Sequence, residues 1–195
     1  MIWRLARIVL LSGMTAVLMA GGAAAQDAEP APGSPDTFSE DEISDELVDF
    51  FGVTAEAGGA VVERVFSEQG DPVGYIAGEE LAAAFIGGVR YGRGELVMKT
   101  GERRTVFWQG PSAGFDFGGN ASKSFTLVYN ITDAERIFCR FPGVEGSGYF
   151  IAGLGVNYQR ADGVTLAPIR TGVGLRFGAN IGYLAYSKRR NILPF

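Results

Sequence analysis

Glycine recurs inside segments of this chain whose other residues favour β-strands. The chain has 29 glycines in 195 residues, and eight of them stand within strand-like stretches: Gly114, Gly118, Gly153, Gly155, Gly172, Gly174, Gly178 and Gly182. Glycine inside a strand weakens it, and marks a bend or a site where another backbone approaches closely. A small, strongly coiled barrel needs both features. The glycines therefore point to a sheet that is sharply curved.

The strand-like segments are numerous and are separated by turn formers. Each is rich in β-branched or aromatic residues, and the predicted strands cover 61–66, 95–100, 104–109, 124–130, 149–160, 164–169 and 171–187. Residues 81–86 fit either a short helix or a buried strand. Many short strands with tight turns are typical of an antiparallel barrel or a closed sandwich. We therefore expect a mainly β fold, a small antiparallel β-barrel domain over residues 58–195 with a short N-terminal helix.

That helix is predicted over residues 38–52. Ser39 is a good N-cap, and Glu42 stands three residues later, as in a capping box. An apolar stripe at helical spacing includes Ile43 and Leu47, and Gly52 supplies a stop signal. The stripe fits either a face packed on the domain or a surface that binds a partner.

The chain begins with the features of a cleavable export signal. Arg4 and Arg7 precede an apolar run over residues 8–20, and three alanines end at Ala25. The run is shorter than the roughly 20 residues of a membrane-spanning helix, although a retained anchor is the alternative. We expect a signal peptide over residues 1–25, a proline-rich acidic spacer over residues 26–37, and a mature protein in the periplasm.

Charge is distributed unevenly along the chain. Residues 26–57 hold ten acidic side chains and no basic one, whereas residues 58–195 hold 12 acidic and 15 basic side chains. Nucleic-acid binding needs basic residues clustered on one face, and the sequence has no such cluster. A nucleic-acid partner is therefore not expected.

The residue types argue against catalysis and against a metal or another cofactor. The chain has no histidine, so the usual nucleophile–base arrangements and zinc sites are excluded. Ser112 lies in a G-x-S-x-G pattern, but it has no histidine as base and is followed by a predicted strand. Cys139 is the single cysteine, which excludes an internal disulfide and leaves open a buried thiol or pairing between chains.

Three blocks of the sequence resemble a known family. They are GGVRYGRG at 87–94, QGPSAGFDFGGN at 109–120 and GVGLRFGANIGYL at 172–184. Together with the export signal, acidic spacer and capped helix, they resemble the EipA-type envelope integrity proteins of alphaproteobacteria. The resemblance implies a periplasmic β-barrel that supports the cell envelope, and it assigns no ligand or activity. Residues 110–129 are also similar to a segment of SYLF lipid-binding domains, which implies an amphipathic lipid as ligand.

Three functional hypotheses follow. The first is a non-enzymatic periplasmic module that binds a lipid or another envelope component at the barrel mouth or in a cleft beside the helix. Its candidate ligand-binding residues are Trp108, Phe115, Phe117 and Tyr158, each of which also fits a role in the core. The second is a scaffold that binds protein partners through the acidic helix. The third is a small outer-membrane barrel, against which Pro194 and the basic run at 188–190 argue. The oligomeric state stays open.

Overall fold

The computed structural model describes residues 36–83, 89–111, 122–144, 147–171 and 182–191. The predicted signal peptide and nearly all of the predicted spacer lie outside these ranges, as do Ser112, Phe115 and Phe117. Residues 32–195 form one compact unit.

The first helix, α1, spans Glu40–Phe51, within the range predicted from the sequence. The Ser39 side chain accepts from the Glu42 backbone N–H, and the Glu42 carboxylate accepts from the Ser39 N–H at 2.9 Å, so the capping box is present. Gly52 ends the helix with a φ of 71°, a left-handed conformation that glycine adopts without strain. Ile43 and Leu47 are fully buried, so the apolar stripe packs on the domain.

The second helix, α2, spans Ala55–Gln69 and corrects two expectations. Residues 61–66 were expected to form a strand, and the expected start of the barrel domain at residue 58 falls inside this helix. Thr54 caps α2, and Val61, Val62 and Val65 are buried along one face. Their β-branched side chains favour strands, but burial of a helical face overrides that weak preference. Gly58 lies where α1 and α2 meet, since an added Cβ would come within 2.6 Å of Val48.

The strands form one antiparallel sheet. Ten strands lie in the described ranges: β1 Gly74–Ala83, β2 Val89–Met98, β3 Arg103–Pro111, β4 Ser122–Tyr129, β5 Arg140–Pro142, β6 Tyr149–Ile151, β7 Leu154–Val156, β8 Gln159–Ala161, β9 Val164–Thr171 and β10 Tyr183–Ser187. Their order is β5-β10-β3-β2-β1-β4-β9-β7-β6, and β8 also pairs with β9. A short 3₁₀ helix, Ala134–Ile137, precedes β5.

The sheet curls until its two sides meet. Gly143, directly after β5, forms an antiparallel bridge with Gln159 of β8. The next backbone N–H, of Val144, donates to the Tyr158 carbonyl at 2.9 Å. Because β8 pairs with β9, this bridge joins the β5 side of the sheet to the β9 side. The mainly β, antiparallel, barrel-like fold expected from the sequence is confirmed.

Some predicted strands differ in detail. The run expected over 149–160 is divided into β6, β7 and β8, and the first division is a turn in which Ala152 and Gly153 have positive φ. Residues 81–83 belong to β1, so the strand alternative for 81–86 holds for this part, although Leu81 itself is 48% exposed. Of the stretch expected over 171–187, residues 183–187 form β10 and 172–181 lie outside the described ranges.

Successive side chains of a strand point to opposite faces of the sheet, and each face carries an apolar layer. One fills the lumen and includes Ile76, Leu96, Val106 and Leu166. The other lies on the outer face beneath α1 and α2, where Phe125, for example, packs against Phe50 and Phe51 of α1. Much of the sheet is therefore buried on both faces.

In the lumen, the indole of Trp108 lies against two neighbouring strands at positions occupied by glycine. A Cβ built on Gly92 of β2 would fall within the indole, and one on Gly78 of β1 would be 2.8 Å from Trp108 Cη2. Glycine is therefore required at position 92 by the ring, and at position 78 by the backbone of Arg93 and Gly94 as well as by the ring. Neither residue is among the eight glycines singled out in the sequence.

We predict that Gly92→Ala destabilises the protein by about 1–3 kcal/mol, because the new methyl group overpacks the lumen against Trp108. Gly59→Ala is the control, since Gly59 lies in α2 and an added Cβ meets nothing within 4 Å. That helical substitution should stabilise the protein by about 0.5–1 kcal/mol. Urea unfolding measures both, and equal stabilities for wild type and Gly92→Ala would refute the close packing of the indole.

Candidate functional site

A cleft of about 380 Å³ lies on the outer face of the sheet, beside α1. Its floor is formed by the rings of Tyr75 and Phe125, which stack with centroids 4.9 Å apart and an interplanar angle of 14°. Phe50 of α1 lines one side, with its ring centroid 5.7 Å from that of Phe125. This volume lies within the range of sites for small organic ligands.

The same cleft also has charged lining residues. Glu46 and Asp49 project from α1, Glu95 from β2, and Arg103 from the start of β3. Arg103 Nη1 donates to Glu95 Oε2 at 2.9 Å, which pairs the charges on that side. The cleft therefore combines an aromatic floor with a mostly acidic border, a lining suited to a molecule with both apolar and polar parts.

The Tyr75 hydroxyl connects the floor to this border through a hydrogen bond with the Glu46 carboxylate. Burial, and secondarily the negative charge of Glu46, raises the pKa of Tyr75 to about 12. Tyr75 is therefore a neutral hydrogen-bond donor at physiological pH, and it orients the Glu46 carboxylate at the edge of the cleft.

Two lysines hold α1, the wall of the cleft, at its ends. Lys99 follows β2, and its Nζ donates to Glu42 Oε2 at 2.7 Å, within the N-terminal capping box. Lys123 of β4 donates from Nζ to the Phe50 carbonyl at 2.6 Å, in the last turn. A cation is favourable at the carbonyl end of a helix because of the helix dipole. These contacts hold α1 in place, and with it Phe50, whose ring lies beside that of Phe125.

Trp108, a predicted ligand-binding residue, lies in the lumen and not in this cleft. It is 3% exposed, and its indole N–H donates to Glu80 Oε2 at 2.9 Å. Glu80 also forms ion pairs with Arg90, at 3.1 Å, and Arg170, at 3.4 Å. Trp108 thus belongs to a buried polar cluster at the centre of the barrel.

Tyr158, the other predicted residue within the described ranges, lies in the apolar layer on the outer face. Its hydroxyl donates to Glu68 Oε2 of α2 at 2.6 Å and lies 3.2 Å from the hydroxyl of Tyr149. The structure therefore places Tyr158 and Trp108 on opposite faces of the sheet, where they do not share a site. Phe115 and Phe117 lie outside the described ranges, and the ligand-binding roles of all four remain predictions.

The residues that line the cleft were not singled out by the sequence. Phe50 appears there as part of the apolar stripe of a helix, and Phe125 as one aromatic residue of an alternating strand. Strand alternation places Phe125 on one face, but only the packing of α1 brings Phe50 next to it. A cleft beside the helix is one of the two locations expected for a binding site.

Within the residues that the structure describes, no three His, Cys, Asp or Glu side chains are grouped so that they could hold a metal ion. Cys139 is free and partly buried, and burial raises the pKa of its thiol. No helix in those ranges is long and apolar enough to cross a membrane.

Comparison with known proteins identifies the family. Residues 36–195 match the family model described as envelope integrity protein A, EipA. The chain belongs to the EipA family. This EipA-family protein is also similar to a crystal structure from Brucella abortus described as beta-barrel-like, with a TM-score of 0.75 and 45% sequence identity. That match covers 82% of this chain and 99% of the other. No curated protein matches.

The pKa of Glu42 reports whether Lys99 holds the N-terminal end of α1. Its hydrogen bond with Lys99, and secondarily the bond from the Ser39 N–H, lowers the pKa of Glu42 below the ordinary value of 4.5. Because the folded pKa is lowered, the stabilisation is complete above about pH 4.5 and is lost as the pH falls through the folded pKa. We predict that Lys99→Met raises the Glu42 midpoint toward 4.5.

Carbon-detected NMR of the Glu42 carboxyl group measures this midpoint. Lys123→Met is the control, since Lys123 contacts the opposite end of α1 and should leave the midpoint unchanged. A Glu42 midpoint that is the same with and without Lys99 would show that Lys99 does not anchor the capping box.

Proposed function

We propose that this EipA-family protein acts in the periplasm, without catalysis, by binding an amphipathic envelope component, a lipid, in the cleft beside α1. The cleft itself is the observation that carries the proposal. The half-buried ring of Phe50 offers an apolar surface above the buried rings of Tyr75 and Phe125, and carboxylates line the border of the cleft. An amphipathic molecule would place its apolar part on the rings and its polar head among the charged side chains.

The residue types support a binding role over an enzymatic one. Without histidine, the chain lacks the commonest general base. The buried carboxylate of the lumen, Glu80, is paired with two arginines and with the Trp108 indole, so its bonding is structural. The carboxylates beside the cleft lie on its border, where they can orient a polar head group.

Two alternatives are less well supported. A scaffold that uses the apolar face of α1 would need that face to be free, whereas Ile43 and Leu47 are fully buried against the domain. An outer-membrane barrel has an apolar outer surface and a polar interior. Here α1 and α2 cover part of the outer face, and the lumen is packed with apolar side chains.

We predict that a lipid co-purifies with the wild-type protein and is lost from Phe50→Ala. Phe50 is half-buried at the side of the cleft, and its removal takes away one apolar wall. Phe150→Ala is the matched control, because Phe150 of β6 is 47% exposed and does not line the cleft.

Protein purified from its own cells would be extracted with organic solvent and the extract analysed by mass spectrometry, with circular dichroism to establish folding. The expected result is a stoichiometric amphipath with wild type and Phe150→Ala, reduced about tenfold or more with folded Phe50→Ala. No bound amphipath on the wild type, or undiminished binding to Phe50→Ala, would contradict the proposed function.

A further inference from the structure

Part of the outer face of the sheet lies away from the two helices. The apolar layer beneath α1 and α2 takes its strand residues from β1, β2, β4, β6, β7 and β9, and none of its described residues from β3, β5 or β10. On β3, Val106 and Trp108 point into the lumen, so Phe107 between them points outward. The same alternation turns Tyr183 of β10 and Arg140 of β5 outward, since Leu184 and Phe141 lie in the lumen.

Two arginines project from this part of the sheet, each across an aromatic ring. The guanidinium carbon of Arg93, on β2, lies 5.8 Å from the ring centroid of Phe107, its cross-strand partner. That of Arg140 lies 5.1 Å from the centroid of Tyr183. Both arginines are exposed. Only β10 and β3 separate β5 from β2, so the two arginines are about 15 Å apart. We call Arg93, Phe107, Arg140 and Tyr183 the basic face.

The positive charge of the basic face is not balanced by nearby carboxylates. Among the described residues, neither Arg93 nor Arg140 takes part in an ion pair. Glu79 of β1 lies opposite Arg93 in the strand register, yet it too forms none. The exposed residues 188–190, directly after β10, are Lys-Arg-Arg, and only the lysine has an ion pair, with Glu135. The face and the segment beside it therefore carry net positive charge.

The two charge signs lie on different parts of the outer surface. α1 holds six acidic residues and no basic one, and all six are exposed. The basic face lies on strands that the helices do not cover. The sequence shows no such cluster because residues 93, 140 and 188–190 are far apart in the chain, and strand pairing brings them together. A negatively charged surface would attract the basic face and repel α1, so it would bind the protein in one orientation.

The side chains of this region fit a lipid surface. Arginines near an anionic bilayer are attracted to its head groups, and tyrosine is favoured at the level of those groups. Leu81 of β1, cross-strand from Tyr91, is 48% exposed and can enter the boundary between head groups and acyl chains. The outer face of a curled sheet is convex, which suits a deformable partner such as a bilayer.

We propose that the basic face docks on a bilayer that contains anionic phospholipid. This goes beyond the proposed function, because it concerns where the protein is held and not what fills the cleft beside α1. The contact is electrostatic in origin, and salt should weaken it. Apolar binding in the cleft should not be weakened by salt, so the two are separable.

Cosedimentation of residues 26–195 with sucrose-loaded vesicles tests the docking. One set of vesicles would contain phosphatidylcholine alone, and the other phosphatidylcholine with 30 mol% phosphatidylglycerol. The partition coefficient should be about tenfold or more higher for the anionic vesicles at low salt. It should fall toward the value for phosphatidylcholine as sodium chloride is raised to 0.5 M.

Two double variants separate the basic face from net charge. Arg93→Gln with Arg140→Gln should lower the partition coefficient about tenfold. Arg64→Gln with Arg160→Gln is the matched control, since it also removes two exposed arginines, one on α2 and one on β8, and should have little effect. Circular dichroism establishes that each variant is folded.

Two further variants test the kind of contact. Arg93→Lys with Arg140→Lys keeps both charges and should retain binding, which distinguishes lost charge from a disturbed fold. Phe50→Ala alters the cleft and should bind the vesicles as the wild type does, so failure of docking and failure of the proposed function are seen independently.

Equal partition into the two kinds of vesicle would overturn the proposal, and so would binding that salt does not weaken. Equal effects of the two glutamine double variants would also overturn it, because the attraction would then belong to net charge and not to the basic face. Loss of vesicle binding with Phe50→Ala, but not with the glutamine pair at 93 and 140, would place the membrane contact at the cleft instead.

Discussion

The outer face of this barrel carries an apolar layer that water would otherwise reach, and the two N-terminal helices cover it. Burial of that layer stabilises the fold, as does burial of the lumen, since apolar surface removed from water contributes about 25 cal/mol per Å². α2 packs through its buried valines, and α1 through Ile43 and Leu47. The cleft lies beside α1 on this face, with the buried Tyr75 and Phe125 at its floor.

Charged contacts restrict the position of α1 over the apolar layer, which apolar burial alone would leave free to shift. Lys99 and Lys123 reach α1 from the sheet at opposite ends, one at the capping box and one at the last turn. A helix held at both ends cannot slide over the apolar layer without breaking one of these contacts. The lumen is organised similarly, because Glu80 must remain between two arginines and the Trp108 indole. Breaking such a buried cluster costs about 3–5 kcal/mol when one charge is left uncompensated.

The sequence predicts features whose signals are local. The capping box of Ser39 and Glu42 and the stop at Gly52 depend on residues close together in the chain, and the structure contains both of them. The strand predicted over residues 61–66 is wrong. Its three valines favour a strand locally, whereas packing against α1 and the sheet selects a helix. The sequence analysis also proposed Trp108 and Tyr158 for one site, although the structure places them in different apolar layers. The cleft could not be predicted because its residues come from α1 and four strands.

The central claim is that a chain of this family recognises its envelope ligand on the outer face of the barrel, beside α1. The most direct measurement is amide chemical-shift mapping of residues 26–195 with the lipid extract of the cell envelope, presented in small bicelles. The account predicts that perturbed amides concentrate around Asp49 and Phe50 of α1, Tyr75 of β1 and Glu95 of β2. Perturbations concentrated instead around the lumen residues Glu80, Arg170 and Trp108, with α1 unchanged, would contradict it.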